Sequence, residues 1–192
     1  MKHFDIAVVG AGIVGSSAAL LLARAGYRVA LVEAHEPKAW SEAEPDIRVV
    51  ALAIDNQKLL DRCGAWKKIV KRRVQAYTDM RVWDAAAGNE LHLSASQQAQ
   101  ESLGAIVENN NIADALWQAI KLEHRISCFC PDKLESIEQE NTITLHLKSG
   151  AVLKADLILG ADGASSKVRA LLGLKADKKD YGQRGLVAYV KT

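Results

Sequence analysis

The chain of 192 residues has little cysteine, almost no excess of either charge and no long apolar run. Each shortage removes a class of function. Its three cysteines, Cys63, Cys128 and Cys130, form neither the even framework of a secreted disulfide scaffold nor a metal-ligand set. Cys128-Phe129-Cys130 reads as a strand with both thiols on one face, and all three are expected to be ordinary buried thiols. The histidines, His3, His35, His92, His124 and His146, are scattered without ligand spacing or an evident carboxylate partner, so neither zinc nor a nucleophilic triad is expected. A formal net charge of +2 leaves no electrostatic footprint for nucleic acid. The most basic stretch, residues 67–73, reads as the solvated face of a short helix, with docking to a membrane surface or partner as the alternative. No apolar stretch reaches transmembrane length, and Met1-Lys2-His3 runs straight into the first strand without a secretory leader, so a cytoplasmic protein is expected.

What is present is 49% hydrophobic and 25% charged, enough for the core of a soluble protein of one or two domains. Its most informative segment comes first. Residues 4–9 read as a buried strand, Gly10-Ala11-Gly12-Ile13-Val14-Gly15 as a glycine turn into a helix reaching Ala25, and a second strand ends at Glu33. In an adenine dinucleotide site Gly10 permits the tight turn, Gly12 lets the backbone approach a pyrophosphate, and Gly15 lets helix and strands pack closely. The helix N-terminus favours the phosphates through its free N–H groups and dipole, and Glu33 stands where an acid accepts from a ribose hydroxyl. An acid there disfavours a 2′-phosphate. NAD and FAD both fit this segment, and a tight strand-to-helix turn without ligand is the bland alternative.

Residues 34–47 hold two of the three prolines, Pro37 and Pro45, and read as a surface excursion. Residues 48–52 return as a short apolar strand, Asp55 is expected to cap a helix that stops at Gly64, and residues 66–71 add a helical turn or two. Residues 80–83 and 91–93 alternate as a solvent-facing hairpin about a turn at Ala87-Gly88-Asn89, followed by a polar loop over 94–102. Residues 103–107 read as a strand, 109–122 as a helix, and 126–129, 133–139, 142–147 and 151–153 as strands, the last three forming a meander. Residues 155–160 read as a fully buried strand ending in Ala161-Asp162-Gly163-Ala164-Ser165-Ser166 before another helix, and 181–190 as the start of a further strand. Ligands of open parallel sheets sit at the carboxyl ends of strands, so residues 160–166 are expected near the first glycine loop.

The segment Gly160-Ala161-Asp162-Gly163-Ala164-Ser165-Ser166-Lys167-Val168-Arg169 resembles the Asp-Gly motif of single-component flavoprotein aromatic hydroxylases. With the first glycine motif, Asp46-Ile47-Arg48-Val49-Val50-Ala51-Leu52, Met80-Arg81-Val82-Trp83-Asp84 and Leu103-Gly104-Ala105-Ile106-Val107-Glu108-Asn109, the whole chain resembles the ubiquinone-biosynthesis branch of these FAD-dependent ring hydroxylases. The resemblance implies FAD. Gly10, Gly12, Gly15 and Glu33, with Ile13, Val14 and Ala34 beside them, would hold its ADP half; Arg48 would approach the flavin side. Asn109 would contact the cofactor where related hydroxylases often carry arginine, and Asp162 would serve both the pyrophosphate and the passage of the nicotinamide donor, NADPH or NADH.

The implied fold is α/β: a Rossmann-like FAD-binding domain with a parallel sheet and the beginning of a second, β-rich substrate domain. Residues 1–75 are assigned to the ADP-half unit and following helices, 76–108 to a β-rich layer on the substrate side, 109–175 to a return to the FAD-binding domain, and 176–192 to the first strand of the substrate domain. Family members run to about twice this length, and the second flavin motif would lie beyond Thr192, so a fragment is expected, with FAD weakly bound or absent and no turnover alone. The implied whole enzyme hydroxylates a polyprenylphenol-type precursor with NAD(P)H and O2. Peripheral contact with the inner membrane, a ubiquinone-biosynthesis assembly and a homo-oligomer stay open. No catalytic residue and no metal site is assigned. The competing readings are a non-catalytic dinucleotide-binding or docking module and an NAD-dependent dehydrogenase, which leaves the Asp162 motif unexplained.

Overall fold

A computed structural model describes residues 2–84, 88–140, 142–188 and 190. The chain opens with β1 (Lys2–Val9), α1 (Ile13–Arg24) and β2 (Val29–Val32), the βαβ unit expected from its glycines. Next come β3 (Val49–Ala53), α2 (Ile54–Arg62), α3 (Trp66–Ile69), β4 (Val74–Tyr77) and the ribbon β5 (Asp79–Trp83) and β6 (Glu90–Ser94). The second half runs β7 (Gly104–Glu108), α4 (Asn109–Leu122), β8 (Ile126–Phe129), β9 (Leu134–Gln139), β10 (Ile143–Leu147), β11 (Val152–Gly160) and α5 (Lys167–Leu171). Among the described residues no helix is long and apolar enough to cross a membrane.

Six strands form the main sheet in the order β8-β2-β1-β11-β10-β9. The first four are parallel, and the β9-β10-β11 meander is antiparallel. One face buries Ile6, Val8, Val29 and Leu31 against Leu20 of α1 and Ile112, Leu116 and Ile120 of α4; the other buries Ala7, Val9, Ala30 and Val32 with Leu145, Leu147 and Leu153 of the meander. Because β2 is covered on both faces, all four of its residues are apolar and buried, the side chains of Val29, Leu31 and Val32 each stabilising by roughly 1.5–3 kcal/mol. A second sheet, β3-β7-β4, is antiparallel throughout, and among the described residues β5 pairs only with β6. The second sheet combines strands from both sides of residue 75, and β4 spans that position.

Several expectations fail for identifiable reasons. The meander strand read at 151–153 and the strand read at 155–160 are one nine-residue element, β11, since Lys154 faces outward on a strand still laddered to β10. Nor is β11 fully buried: β10 pairs only as far as Ala155, and past it Leu157 is 48% exposed. Asp55 does not cap α2 but lies in its first turn, behind Ala53 at the cap position. Residues 181–188 form no strand, and Leu186 and Val187 are exposed; without a neighbouring strand their backbone groups stay with water. Tyr189 of that reading and Ala87 of the expected hairpin turn lie outside the described residues.

The basic run is only in part a solvated helix face. Arg72 pairs with Asp114 at 2.5 Å and Arg73 with Glu108 at 2.7 Å, both acids being buried. Of the cysteines Cys63 alone is fully buried; Cys128 is exposed and Cys130 half-buried, yet loss of hydration pushes all three thiols above their usual range. Four histidines do have carboxylate neighbours, namely His3 with Asp156, His92 with Asp79, His124 with Glu123 and His146 with Glu138. These partners come from adjoining strands or, for His124, the preceding residue in the chain, and periodicity does not reveal the former.

Candidate nucleotide site

A cleft of about 700 Å³ opens at the carboxyl ends of β1, β2 and β11. Gly10, Gly12, Glu33, Ala34 and Asp162 line it, so five of the expected cofactor residues meet there. Gly10 turns off β1 at φ +100°, where a side chain is strained, and its N–H donates to the Val32 carbonyl at 2.8 Å. Gly15 lies behind the cleft, and any Cβ on it would overlap the Gly10 carbonyl. At Gly12 a Cβ would meet nothing within 4 Å, because that position faces open space. Ile13 and Val14 form the first turn of α1, which has neither a capping side chain nor an acid, leaving the N–H groups of the helix start for a ligand.

Glu33 is more than a ribose acceptor in waiting. Its Oε2 accepts from the Ala11 N–H at 2.6 Å and its Oε1 from the His35 N–H at 3.0 Å, so the carboxylate ties the end of β2 to the glycine loop. Asp162 likewise serves its own loop, accepting from Ser166 Oγ at 2.5 Å, the Lys167 N–H at 2.6 Å and the Val168 N–H at 3.1 Å. Burial alone would raise its pKa; the donors from Ser166, Val168 and Lys167 outweigh that and hold the carboxyl below its usual range.

Arg48 and Asn109 do not line this cleft. They meet each other where β3 and β7 end: the Asn109 N–H donates to the Arg48 carbonyl at 2.9 Å. Asp46 locks the join, accepting from the Arg48 N–H at 3.0 Å and, as a cap delivered from the excursion, from the Asn110 N–H of α4 at 3.1 Å. The Arg48 side chain is 75% exposed, and its Nε forms a long ion pair with Asp46 at 3.8 Å. Asn109 Oδ1 is buried with no hydrogen-bond partner among the described residues, an acceptor that a cofactor group can satisfy.

Sequence reasoning missed the clamp on residues 34–47. The Trp40 indole donates to Glu108 Oε2 at 2.9 Å, with the guanidinium carbons of Arg72 and Arg73 4.9 and 5.3 Å from its ring centroid. Arg73 also donates to the carbonyls of Ser41 and Glu42. A tryptophan inside a polar, proline-bearing stretch was the available signal. It also missed Lys133, Lys148 and Lys167, which line the cleft.

The open approach at Gly12, the uncapped helix start and the orphaned Asn109 acceptor fit a bound adenine dinucleotide of the FAD type. Comparison with known proteins gives the same group. The model of the FAD binding domain family matches residues 3–189. The chain is similar to 3-demethoxyubiquinol 3-hydroxylase of Escherichia coli, 31% identical over 97% of this chain and 48% of that protein, and to ubiquinone hydroxylase UbiM of Neisseria meningitidis, 29% identical over 98% and 42%. It thus spans about half the length of the curated relatives it matches. Among solved structures, p-nitrophenol 4-monooxygenase PnpA of Pseudomonas putida superposes with a TM-score of 0.72 at 25% identity, over 90% of this chain and 44% of that one. PqsL of P. aeruginosa, solved with 2-aminobenzoylacetate, shares the fold with a TM-score of 0.75 at 22% identity, over 94% and 48%. On sequence and fold together, the chain belongs to the FAD binding domain family.

Proposed function

We propose that this chain is the nucleotide-holding part of an FAD-dependent monooxygenase that hydroxylates the aromatic ring of a polyprenylphenol-type ubiquinone precursor. The observation that carries the reading is the cleft itself, where a glycine loop, an uncapped helix start, Glu33 and Asp162 converge at the ends of parallel strands. The names of the relatives supply the substrate class. FAD, when bound, supplies the redox chemistry that accepts electrons from NADPH or NADH and uses O2 to oxygenate the ring.

The chain's own residues bind and orient. Gly10, Gly12 and the first N–H groups of α1, from Ile13 on, receive the diphosphate, and Gly15 keeps that helix close enough to do so. Glu33 and Ala34 face the adenosine ribose, Arg48 and Asn109 contact the cofactor from the β3–β7 join, and Asp162 stays ionised where the nicotinamide donor passes. In this reading no side chain here must act as a nucleophile. In this reading residues 1–75 and 109–175 hold the nucleotide, while 76–108 and 176–192 belong to the substrate side. A polyprenyl substrate resides in membrane, which supports peripheral contact of the enzyme with the inner membrane; a ubiquinone-biosynthesis assembly and a homo-oligomer are both compatible with this reading.

The test has two parts. Titrating the 192-residue chain with FAD is expected to give weak, saturable quenching of flavin fluorescence without NADPH oxidation. The complete polypeptide is expected to purify yellow and to oxidise NADPH or NADH when given a polyprenylphenol. A complete protein that stays colourless and cannot be reconstituted with FAD sinks the reading. Substrate-dependent oxygen uptake by the 192-residue chain overturns the assignment of turnover to the complete protein alone.

A further inference from the structure

We infer that Lys133, Lys148 and Lys167 form a cationic wall of the cleft that holds the diphosphate of the dinucleotide against the glycine loop; this rests on the FAD reading above. All three line the cleft with Gly10 and Gly12, and among the described residues none of the three ammonium groups makes a hydrogen bond or ion pair. They arrive from different elements. Lys167 opens α5, directly after the Asp162 loop, whereas Lys133 and Lys148 flank the open end of the β9–β10 pair.

The two meander lysines are held side by side. The Lys148 N–H donates to the Lys133 carbonyl at 2.8 Å, and Asp132 accepts from the N–H groups of Lys133 at 2.8 Å and Ser149 at 3.1 Å and from Ser149 Oγ at 2.5 Å. The Asp132 N–H in turn donates to the Glu33 carbonyl at 2.8 Å, joining this corner to the end of β2.

The electrostatics of the lining call for such a wall. Four acids, Glu33, Asp132, Glu135 and Asp162, border the same cleft, so a diphosphate entering it meets negative charge as well as the helix start. The carboxylates of Glu33, Asp132 and Asp162 are each compensated by two or more N–H or O–H donors of their own loops. The three lysines are uncompensated and supply the countercharge that two ligand phosphates need. Removing them leaves the glycine loop intact while the field of the acids turns against the ligand.

The experiment is calorimetric titration of the 192-residue chain with ADP and with FAD at two salt concentrations. The variants are K167Q, the triple variant K133Q/K148Q/K167Q and the corresponding triple arginine variant. The exposed positions are expected to leave the melting temperature unchanged. Loss of charge-assisted contacts is expected to weaken ADP at least about tenfold in the triple glutamine variant and severalfold in K167Q, with a flattened salt dependence. The arginine variant is expected to keep most of the affinity. Triple-glutamine affinity equal to wild type with unchanged salt dependence, or equal loss in the arginine variant, overturns the wall and leaves the nucleotide reading standing. A wild-type 192-residue chain that binds neither ADP nor FAD at millimolar concentration overturns the wall, while the nucleotide reading stands or falls separately on whether the complete polypeptide binds FAD.

Discussion

Glu33 Oε2 accepts from the Ala11 N–H at 2.6 Å, so the acid at the end of β2 is a structural strut of the glycine loop it follows by 22 residues. Ala11 is only 3% exposed, and its N–H has no water to turn to. Glu33→Ala is expected to cost about 1–3 kcal/mol through that unsatisfied donor, lowering the melting temperature by several degrees and weakening FAD together with it. A thermal melt followed by circular dichroism checks this; an unchanged melting temperature removes the strut.

Gly12 and Gly15 separate ligand binding from folding. Gly12→Ala adds a methyl where no atom lies within 4 Å, at φ −65°, so it should fold with an unchanged melting temperature while its Cβ occupies the approach to the cleft. Flavin fluorescence titration should then show affinity down tenfold or more. Gly15→Ala drives a Cβ into the Gly10 carbonyl and is expected to destabilise by more than about 2 kcal/mol. Equal behaviour of the two variants would contradict the geometry.

The pair Arg72–Asp114, at 2.5 Å with side chains 14% and 7% exposed, fastens α4 to the segment leading into β4. Arg72→Met leaves Asp114 buried with the Gln118 amide as its remaining donor and should cost about 3 kcal/mol. Denaturant melts of Arg72→Met, Asp114→Asn and the double variant test it; the double variant is expected to be less impaired than the sum of the two singles.

Asp162 gives a pH signature. Its folded pKa lies below the ordinary 3.8, so its contribution is fully present above pH 3.8 and is lost as pH falls through the lower folded value. Asp162→Asn is expected to lose roughly 1 kcal/mol at neutral pH, the scale of a helix cap. Its melting temperature should also fall less steeply than wild type in acid below 3.8, and parallel acid profiles for the two proteins would refute the cap.

What could be read from the sequence is what closes locally. The βαβ unit is decided within 33 residues by its glycines, and α4 begins and ends where its apolar period does, at Asn109–Leu122. The convergence of Gly12, Glu33 and Asp162 followed from a general rule about strand ends. What stayed hidden depends on distant partners. Nothing local tells that Arg73 will meet Glu108 or that Trp40 will donate to that same carboxylate. The apolar run ending at Gly160 suggested burial, because apolar residues report the capacity to be covered and not whether a neighbour covers them. The motif places Glu33 at the ribose position, whereas its two N–H donors, Ala11 and His35, belong to the folded loop and show in no motif.

The pairing of Lys2 with Leu153 sets an order of assembly. β1 lies at the middle of the main sheet, yet its partner β11 is translated about 150 residues later. During synthesis at about 5–20 residues per second, the glycine loop and β2 can form early while the other edge of β1 stands unpaired for on the order of ten seconds. Closing so long a loop makes this contact slow relative to the local ones. The newborn chain therefore keeps the β11-facing edge of β1 open until late in synthesis, and that edge is where a holdase chaperone gains most.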